Sequence, residues 1–322
     1  MAEMHLITGA TGYIGSQLVR FLLGTGESVA VLVRDEAKAR RMFDDTVHIL
    51  AADIADTASM RRIDLPIGQL VHCAATTKSA EMASHPVETA DGIVLGTRNV
   101  LELARRCHAR SMVFLSSMEV YGSLDTPAGT RTTEDCMGAI DILQPRSSYP
   151  LGKRMAEQYC SAYAQEYGVP VKIARLAQTF GSGVPREESR VFAQFARSAL
   201  QGEDIVLHTR GQSVGNYCSI DDVIDAIVFL LAHGKNGEAY NVVNEANTMR
   251  IKDMAEVALQ TLGNGRSHIV YDIPESNAYG YAPDTGLRLS GGKLANLGWC
   301  ATKTLADMYR DIAKTWQMET GS

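Results

Sequence analysis

At 322 residues, with 45% hydrophobic and 21% charged residues, the chain has the composition of a soluble globular protein large enough for one core or two lobes. Its formal net charge of −6 argues against a nucleic-acid footprint but leaves small anionic ligands open. The six cysteines include no Cys-x-x-Cys pair and the eight histidines are scattered, so we expect reduced thiols, a cytoplasmic location and no metal. The longest apolar run, Ala226 to Ala232, is too short to span a bilayer, and Met1-Ala-Glu-Met-His-Leu-Ile has no signal-peptide form.

Met4 to Thr8 reads as a buried strand, and Gly9-Ala-Thr-Gly12-Tyr13-Ile14-Gly15 then leads into a helical pattern from Ser16 to Leu23. Strand, glycine turn and helix start make a setting in which backbone N–H groups hold a pyrophosphate. The spacing is Gly-x-x-Gly-x-x-Gly, and a tight turn without a ligand is the other reading. A second strand, Val29 to Val33, ends at Arg34-Asp35, and a third, Val47 to Ala51, ends at Asp53-Ile54. With Val33 in the usual acidic slot and Arg34 next, the cofactor preference leans to NADP over NAD. The alternative gives Asp35 the ribose and Arg34 to a solvated helix with Lys38, Arg40 and Arg41.

Leu70 to Ala75 is a fourth strand, closing on small residues such as Ala74 that let a flat cofactor approach. A helix from about Ile93 to Cys107 precedes a fifth strand, Ser111 to Ser116; Val171 to Leu176 is a sixth, after which Gln178 to Gly181 reads as loop. Alternating strands and helices predict an α/β fold, a Rossmann-type doubly wound parallel sheet, with a smaller mixed C-terminal lobe. We set the dinucleotide-binding domain at 1–180, with 216–245 returning to it, and a mainly substrate-binding lobe at 181–322. Helices are predicted over Arg190 to Leu200, Asp221 to Leu231, Ile251 to Leu262 and Leu305 to Trp316, with a strand over Ala239 to Val243.

Tyr149 and Lys153 stand four residues apart, hence one turn apart on one helix face. Ser147 or Ser148 is the expected cap, and Pro150 fits a first turn. A free phenol has a pKa of ~10, and a nearby ammonium favours its ionised form. Ser117 and Glu119 follow the fifth strand, where a doubly wound sheet gathers its chemistry.

Taken together, Thr8 to Gly15, Asp53, Ser117 with Val120-Tyr-Gly122, Tyr149-x-x-x-Lys153, Arg175 to Gly181 and Leu297-Gly-Trp299 closely resemble the extended short-chain dehydrogenase/reductase family, over nearly the whole chain. Pro145 to Glu157 and Arg190-Val-Phe look most like its UDP-glucuronate decarboxylases and nucleotide-sugar 4,6-dehydratases. The resemblance implies that Tyr149 is the base for a sugar 4-hydroxyl, that Ser117 bonds the same hydroxyl, and that Lys153 lowers the Tyr149 pKa and holds the nicotinamide ribose. It implies Glu119 as the carboxylate acting on the proton at sugar carbon 5. Cofactor contacts are expected from Gly9, Gly12, Tyr13, Ile14, Gly15, Arg34, Asp53, Ile54, Ala74, Tyr149, Lys153 and Ala177, and substrate contacts from Gln178, Arg190, Arg210 and Tyr217.

Four positions depart from the relatives. Met118 replaces the acid that precedes the glutamate in glucose-type dehydratases, Gln178 replaces a substrate-binding asparagine, Ile93 replaces another asparagine, and Gly215 replaces an arginine that grips the diphosphate. Arg210 or Arg186 is the expected substitute for the last. The implied function is modification of a nucleotide-activated sugar through a transient 4-keto intermediate, ending in 4,6-dehydration, decarboxylation or epimerisation. The alternatives are an NADPH-dependent keto-reductase and a catalytically silent nucleotide-binding protein. Relatives also imply a homodimer through the helices bearing Val100, Leu101 and Leu103, and Met155, Tyr159, Ala162 and Tyr163.

Overall fold

A computed structural model describes residues 4–76, 78–125, 127, 129–274 and 285–320. In chain order its elements are β1 (Met4–Thr8), α1 (Tyr13–Gly24), β2 (Val29–Val33), α2 (Glu36–Met42), β3 (His48–Ala51), α3 (Thr57–Arg61), β4 (Ile67–His72), α4 (Ser79–Ser84), α5 (Pro86–Arg106), β5 (Ser111–Ser117), α6 (Ser148–Tyr167), β6 (Val171–Leu176), β7 (Gln178–Phe180), α7 (Val191–Gln201), β8 (Ile205–Leu207), β9 (Val214–Ser219), α8 (Ile220–His233), β10 (Ala239–Val242), β11 (Asn244–Arg250), α9 (Ile251–Leu262), β12 (Ile269–Tyr271), α10 (Gly292–Ala295) and α11 (Leu305–Thr320).

The chain divides into two compact units. The first holds Met1–Leu124, Glu134–Leu176 and the returning segment Ile224–Asn241. Its seven-stranded sheet has the order β10-β6-β5-β4-β1-β2-β3, and every pair from β3 to β6 is parallel. The strand order reverses beside β1, so the crevice beyond the ends of β1 and β4 is the binding position that this topology favours. Continuous burial of Val29–Val33 and Val171–Leu176 explains the unbroken apolar runs, because helices cover both faces of such a sheet. Each fully buried Leu or Val there contributes roughly 1.5–3 kcal/mol.

The second unit holds Asp125–Thr133, Ala177–Val223 and Val242–Ser322. It contains a three-stranded sheet, β11-β9-β7, and the pair β12-β8. The expected loop at Gln178 is strand β7, paired in parallel with β9 through Gln178↔Tyr217. Two other boundaries move. Pro86 at the first helical position starts α5 seven residues before the expected Ile93, and β4 ends at His72, leaving Cys73 to Ala75 beyond the strand.

All six cysteines are free thiols. Among the described residues no helix is long and apolar enough to cross a membrane, and no group of three or more His, Cys, Asp or Glu could hold a metal ion.

Candidate active site

The glycine turn is shaped by close approach. Gly9 has φ +67°, and a Cβ there would lie 2.7 Å from the Ala74 backbone, while one on Gly15 would strike the Gly9 carbonyl. Gly12 begins α1 with no side-chain cap, leaving the helix N-terminus to backbone amides. Such a tight, uncapped cradle, with Ala74 beside it, fits the diphosphate of a nicotinamide dinucleotide. Beneath it Thr8 Oγ1 and His72 Nδ1 are 2.7 Å apart, and His72 Nε2 lies 3.2 Å from Thr97 Oγ1. Burial, helped by the Lys153 charge, pushes His72 down to about 3, so this ring is neutral.

The Asp35 carboxylate caps α2, its Oδ1 accepting the Lys38 amide at 2.8 Å. Arg34 is exposed, Val33 is buried, and Lys38 Nζ donates back to the Thr11 carbonyl in the glycine turn at 3.1 Å. Exposed Asp53 accepts the Ala55 amide, whereas Ile54 turns its side chain inward against Gly96 and offers only its backbone to a ligand.

The side chains expected to react gather where β5 ends. Ser117 closes that strand and the chain tightens into a 3-10 turn over Met118–Tyr121, whose start is fixed by the Glu119 N–H donating to Ser117 Oγ at 3.2 Å. Tyr149 and Lys153 project from the first turns of α6, both buried. No serine side chain caps α6. Ser147 Oγ donates instead to the Asp141 carbonyl at 2.6 Å, Ser148 Oγ has no partner among the described residues, and a 3-10 turn over Pro145–Ser147 feeds the helix.

Lys153 Nζ donates to the Leu115 carbonyl at 2.6 Å, stands 4.6 Å from the centre of the Phe114 ring and 5.9 Å from that of Tyr149. Burial lowers it to about 8, and Glu157, one turn further along α6, works against that. Glu157 is itself held by Ser116 Oγ at 2.6 Å and by Arg175 at 2.7 Å. Tyr149 is pushed up to about 12, first by burial and then by the Glu119 carboxylate. The Ser117 hydrogen bond and the Arg146 charge oppose that rise. Arg146 was not legible as a partner: it pairs with Glu119 at 2.9 Å across 27 positions of sequence.

Ile93, where the resemblance leads us to expect an asparagine, is buried and packs on Gly152 of α6. Val100, Leu101 and Leu103 of α5 are buried within the first unit, so they do not form an outward face; Met155 does, being 40% exposed, with Leu95 of α5 at 41%.

The expected substrate residues lie in the second unit. Gln178 begins β7, Arg190 precedes α7 and pairs with Glu188 at 2.7 Å, and Arg210 is exposed. Tyr217 departs from expectation: it has no exposed surface, packs edge-on against Phe180 at 5.8 Å, and belongs to the core of that unit. A Cβ on Gly215, where the resemblance leads us to expect an arginine, would overlap the Tyr217 hydroxyl. Arg186 Nη2 donates to the Trp316 carbonyl at 2.9 Å. Ala177, also in this unit, is buried and donates its amide to the Val242 carbonyl.

Residues 5–243 match the NAD dependent epimerase/dehydratase family. The chain belongs to that family. It is 30% identical over 273 residues to UDP-glucuronic acid decarboxylase 1 of Danio rerio, covering 84% of this chain and 63% of the relative. The chain therefore spans less than two thirds of that decarboxylase. UDP-N-acetyl-alpha-D-glucosaminuronate decarboxylase of Bacillus cytotoxicus is 28% identical over 288 residues, with 87% of this chain and 86% of the relative covered. Among solved structures, UDP-glucose 4-epimerase of Thermus thermophilus in complex with NAD superposes with a TM-score of 0.81 at 25% identity, covering 98% of this chain and 99% of that one. The family is one of the extended short-chain dehydrogenases/reductases, and the glycine cradle of the first unit lies within the matched residues.

Proposed function

We infer that this chain modifies a nucleotide-activated sugar by transient oxidation at carbon 4, and that its outcome is decarboxylation of a UDP-linked uronate. The observation that carries the reading is the convergence of Ser117, Glu119, Tyr149 and Lys153 at one strand end, beside the glycine cradle of the same unit. Bound NAD(P) supplies the hydride acceptor and returns the hydride. Tyr149 takes the proton of the 4-hydroxyl, and Ser117 hydrogen-bonds the same oxygen. Lys153 anchors the ribose beside them and adds positive charge. Once carbon 4 is a ketone, the carbon 5–carbon 6 bond of a uronate breaks, carbon dioxide leaves, and its electron pair enters the enolate. Glu119 then manages the proton at carbon 5. Met118 supplies no acid for a leaving hydroxyl, which favours decarboxylation over acid-assisted dehydration; the decarboxylases among the relatives point the same way.

NADP is the favoured cofactor. Arg34 and Lys38 bring two cations to the end of β2, and Asp35 is spent on capping α2. The same two cations favour a second reading, an NADPH-dependent keto-reductase of this fold. Gln178, Arg190 and Arg210 are the polar groups we assign to the substrate, in a homodimer formed through the outer sides of α5 and α6 and located in the cytoplasm. Incubation with a panel of UDP-, GDP-, CDP- and dTDP-sugars tests the reading by product mass. A product lighter by carbon dioxide with no net change in cofactor is expected; unchanged sugars throughout, or stoichiometric NADPH consumption, contradict it.

A further inference from the structure

Glu119 and Tyr149 share a cation, Arg146, that lies within the Pro145–Glu157 stretch and has no role assigned above. Arg146 Nη2 lies 2.9 Å from Glu119 Oε2 and 3.1 Å from Oε1, and the guanidinium carbon is 5.6 Å from the centre of the Tyr149 ring. Its Nη1 is shielded from solvent and meets no acceptor among the described residues. The pairing is set by the backbone: Pro145 opens the turn, the Ser147 hydroxyl ties it to the Asp141 carbonyl, and Tyr149 follows three residues after Arg146.

We propose that Arg146 is a positioning residue, holding the Glu119 carboxylate in place and offsetting its charge so that Tyr149 can work as a base beside it. The inference rests on reading Tyr149 as the base for a sugar hydroxyl, and applies to the oxidation step that decarboxylation, dehydration and epimerisation share. A phenolate beside a carboxylate is a like-charge pair, and charges at such distances shift a titration by about 1–3 pH units. Of the groups around the phenol, Glu119 opposes its ionisation, while Arg146 and the Ser117 hydroxyl favour it. Lys153 donates one hydrogen bond to the Leu115 carbonyl, which leaves its ammonium two further donors 5.9 Å from the centre of the Tyr149 ring. Burial keeps His72 and Cys73 uncharged near neutrality, and α5 presents apolar Ile93 to Gly152 of α6. Lys78 and Glu81, at the start of α4, which packs on the Arg146 turn, pair with one another at the surface. Beside the Lys153 ammonium, the Glu119–Arg146 pair is therefore a second set of charges next to the phenol.

The test follows the first half-reaction, read as reduced-nicotinamide absorbance after mixing the cofactor-loaded protein with the sugar nucleotide it converts, across pH. In R146M the rising limb assigned to Tyr149 moves up by about one pH unit, so the step is about tenfold slower at a given pH below it. R146K restores most of the rate. E119Q moves the limb the other way, and E119Q/R146M brings it back to within about threefold of the starting protein. A readout independent of turnover is NMR titration of tyrosine labelled at Cζ: Tyr149, pushed up to about 12, titrates lower in E119Q. A folded R146M with an unmoved limb, or an E119Q/R146M displaced as far as R146M, overturns the proposal. If R146M does not fold, E119Q decides through the NMR titration, and an unchanged Tyr149 there overturns it. Retention of the half-reaction in Y149F instead removes the underlying reading of Tyr149, whatever Arg146 does.

Discussion

Tyr149 in the first unit and Tyr217 in the second are both phenols pushed upward by burial, yet their surroundings differ in kind. Tyr149 meets Ser117, Glu119 and Arg146, groups that donate, accept or carry charge at the end of a parallel strand. Tyr217 meets Phe180, its hydroxyl has no partner among the described residues, and its neighbour Gly215 has given up a side chain to accommodate it. Burial is thus common to the two phenols, whereas groups able to exchange a proton or carry charge surround Tyr149.

The largest expected effect breaks that contrast outright. Y149F should lower turnover by roughly 10²–10⁴-fold, the usual range for a lost general base, with cofactor binding retained in a fluorescence titration. Y217F should leave turnover nearly unchanged and leave stability unaltered or improved, because a buried hydroxyl without a partner costs about 1–3 kcal/mol. Equal damage from both would erase the distinction.

Next comes the ion pair behind the site. Arg175 and Glu157 are only 6% and 9% exposed, so E157Q, which strands a buried guanidinium, should cost about 3–5 kcal/mol in urea unfolding. Replacing both with methionine should recover much of that stability while leaving Lys153 without the carboxylate that supports its charge. Smaller again is G215A: overlap with the Tyr217 hydroxyl should destabilise by about 1–3 kcal/mol, and G215A/Y217F should be closer to the starting protein. The smallest effect tests the cofactor end, where R34A or K38A should each weaken NADP relative to NAD by about fivefold, one exposed charge-assisted contact apiece.

These contrasts explain what the sequence could carry. The glycine turn and the Tyr149–Lys153 pair were legible because a fixed spacing puts each on one local element, and the parallel sheet followed from alternating apolar runs. Asp35 was ambiguous in sequence, since an acidic residue at a strand end can bind ribose or cap the next helix; in the structure its Oδ1 accepts the Lys38 amide as a cap. The same local competition moved Ser147 off the α6 cap and onto the Asp141 carbonyl. Arg146 was missed because Glu119 lies 27 residues away and only the meeting of two short turns joins them. Tyr217 was expected at the substrate only through the resemblance, whereas β9 places its ring in the core of the second unit.

The central claim is that Tyr149 initiates a reversible oxidation at carbon 4 of a nucleotide sugar. Rapid mixing of the NAD(P)-loaded protein with UDP-glucuronate, followed by reduced-nicotinamide absorbance and product mass, tests it most directly. The account predicts absorbance that rises and then decays, a product lighter by carbon dioxide, and neither in Y149F. A flat trace with unaltered sugar, or the same transient in Y149F, would contradict it.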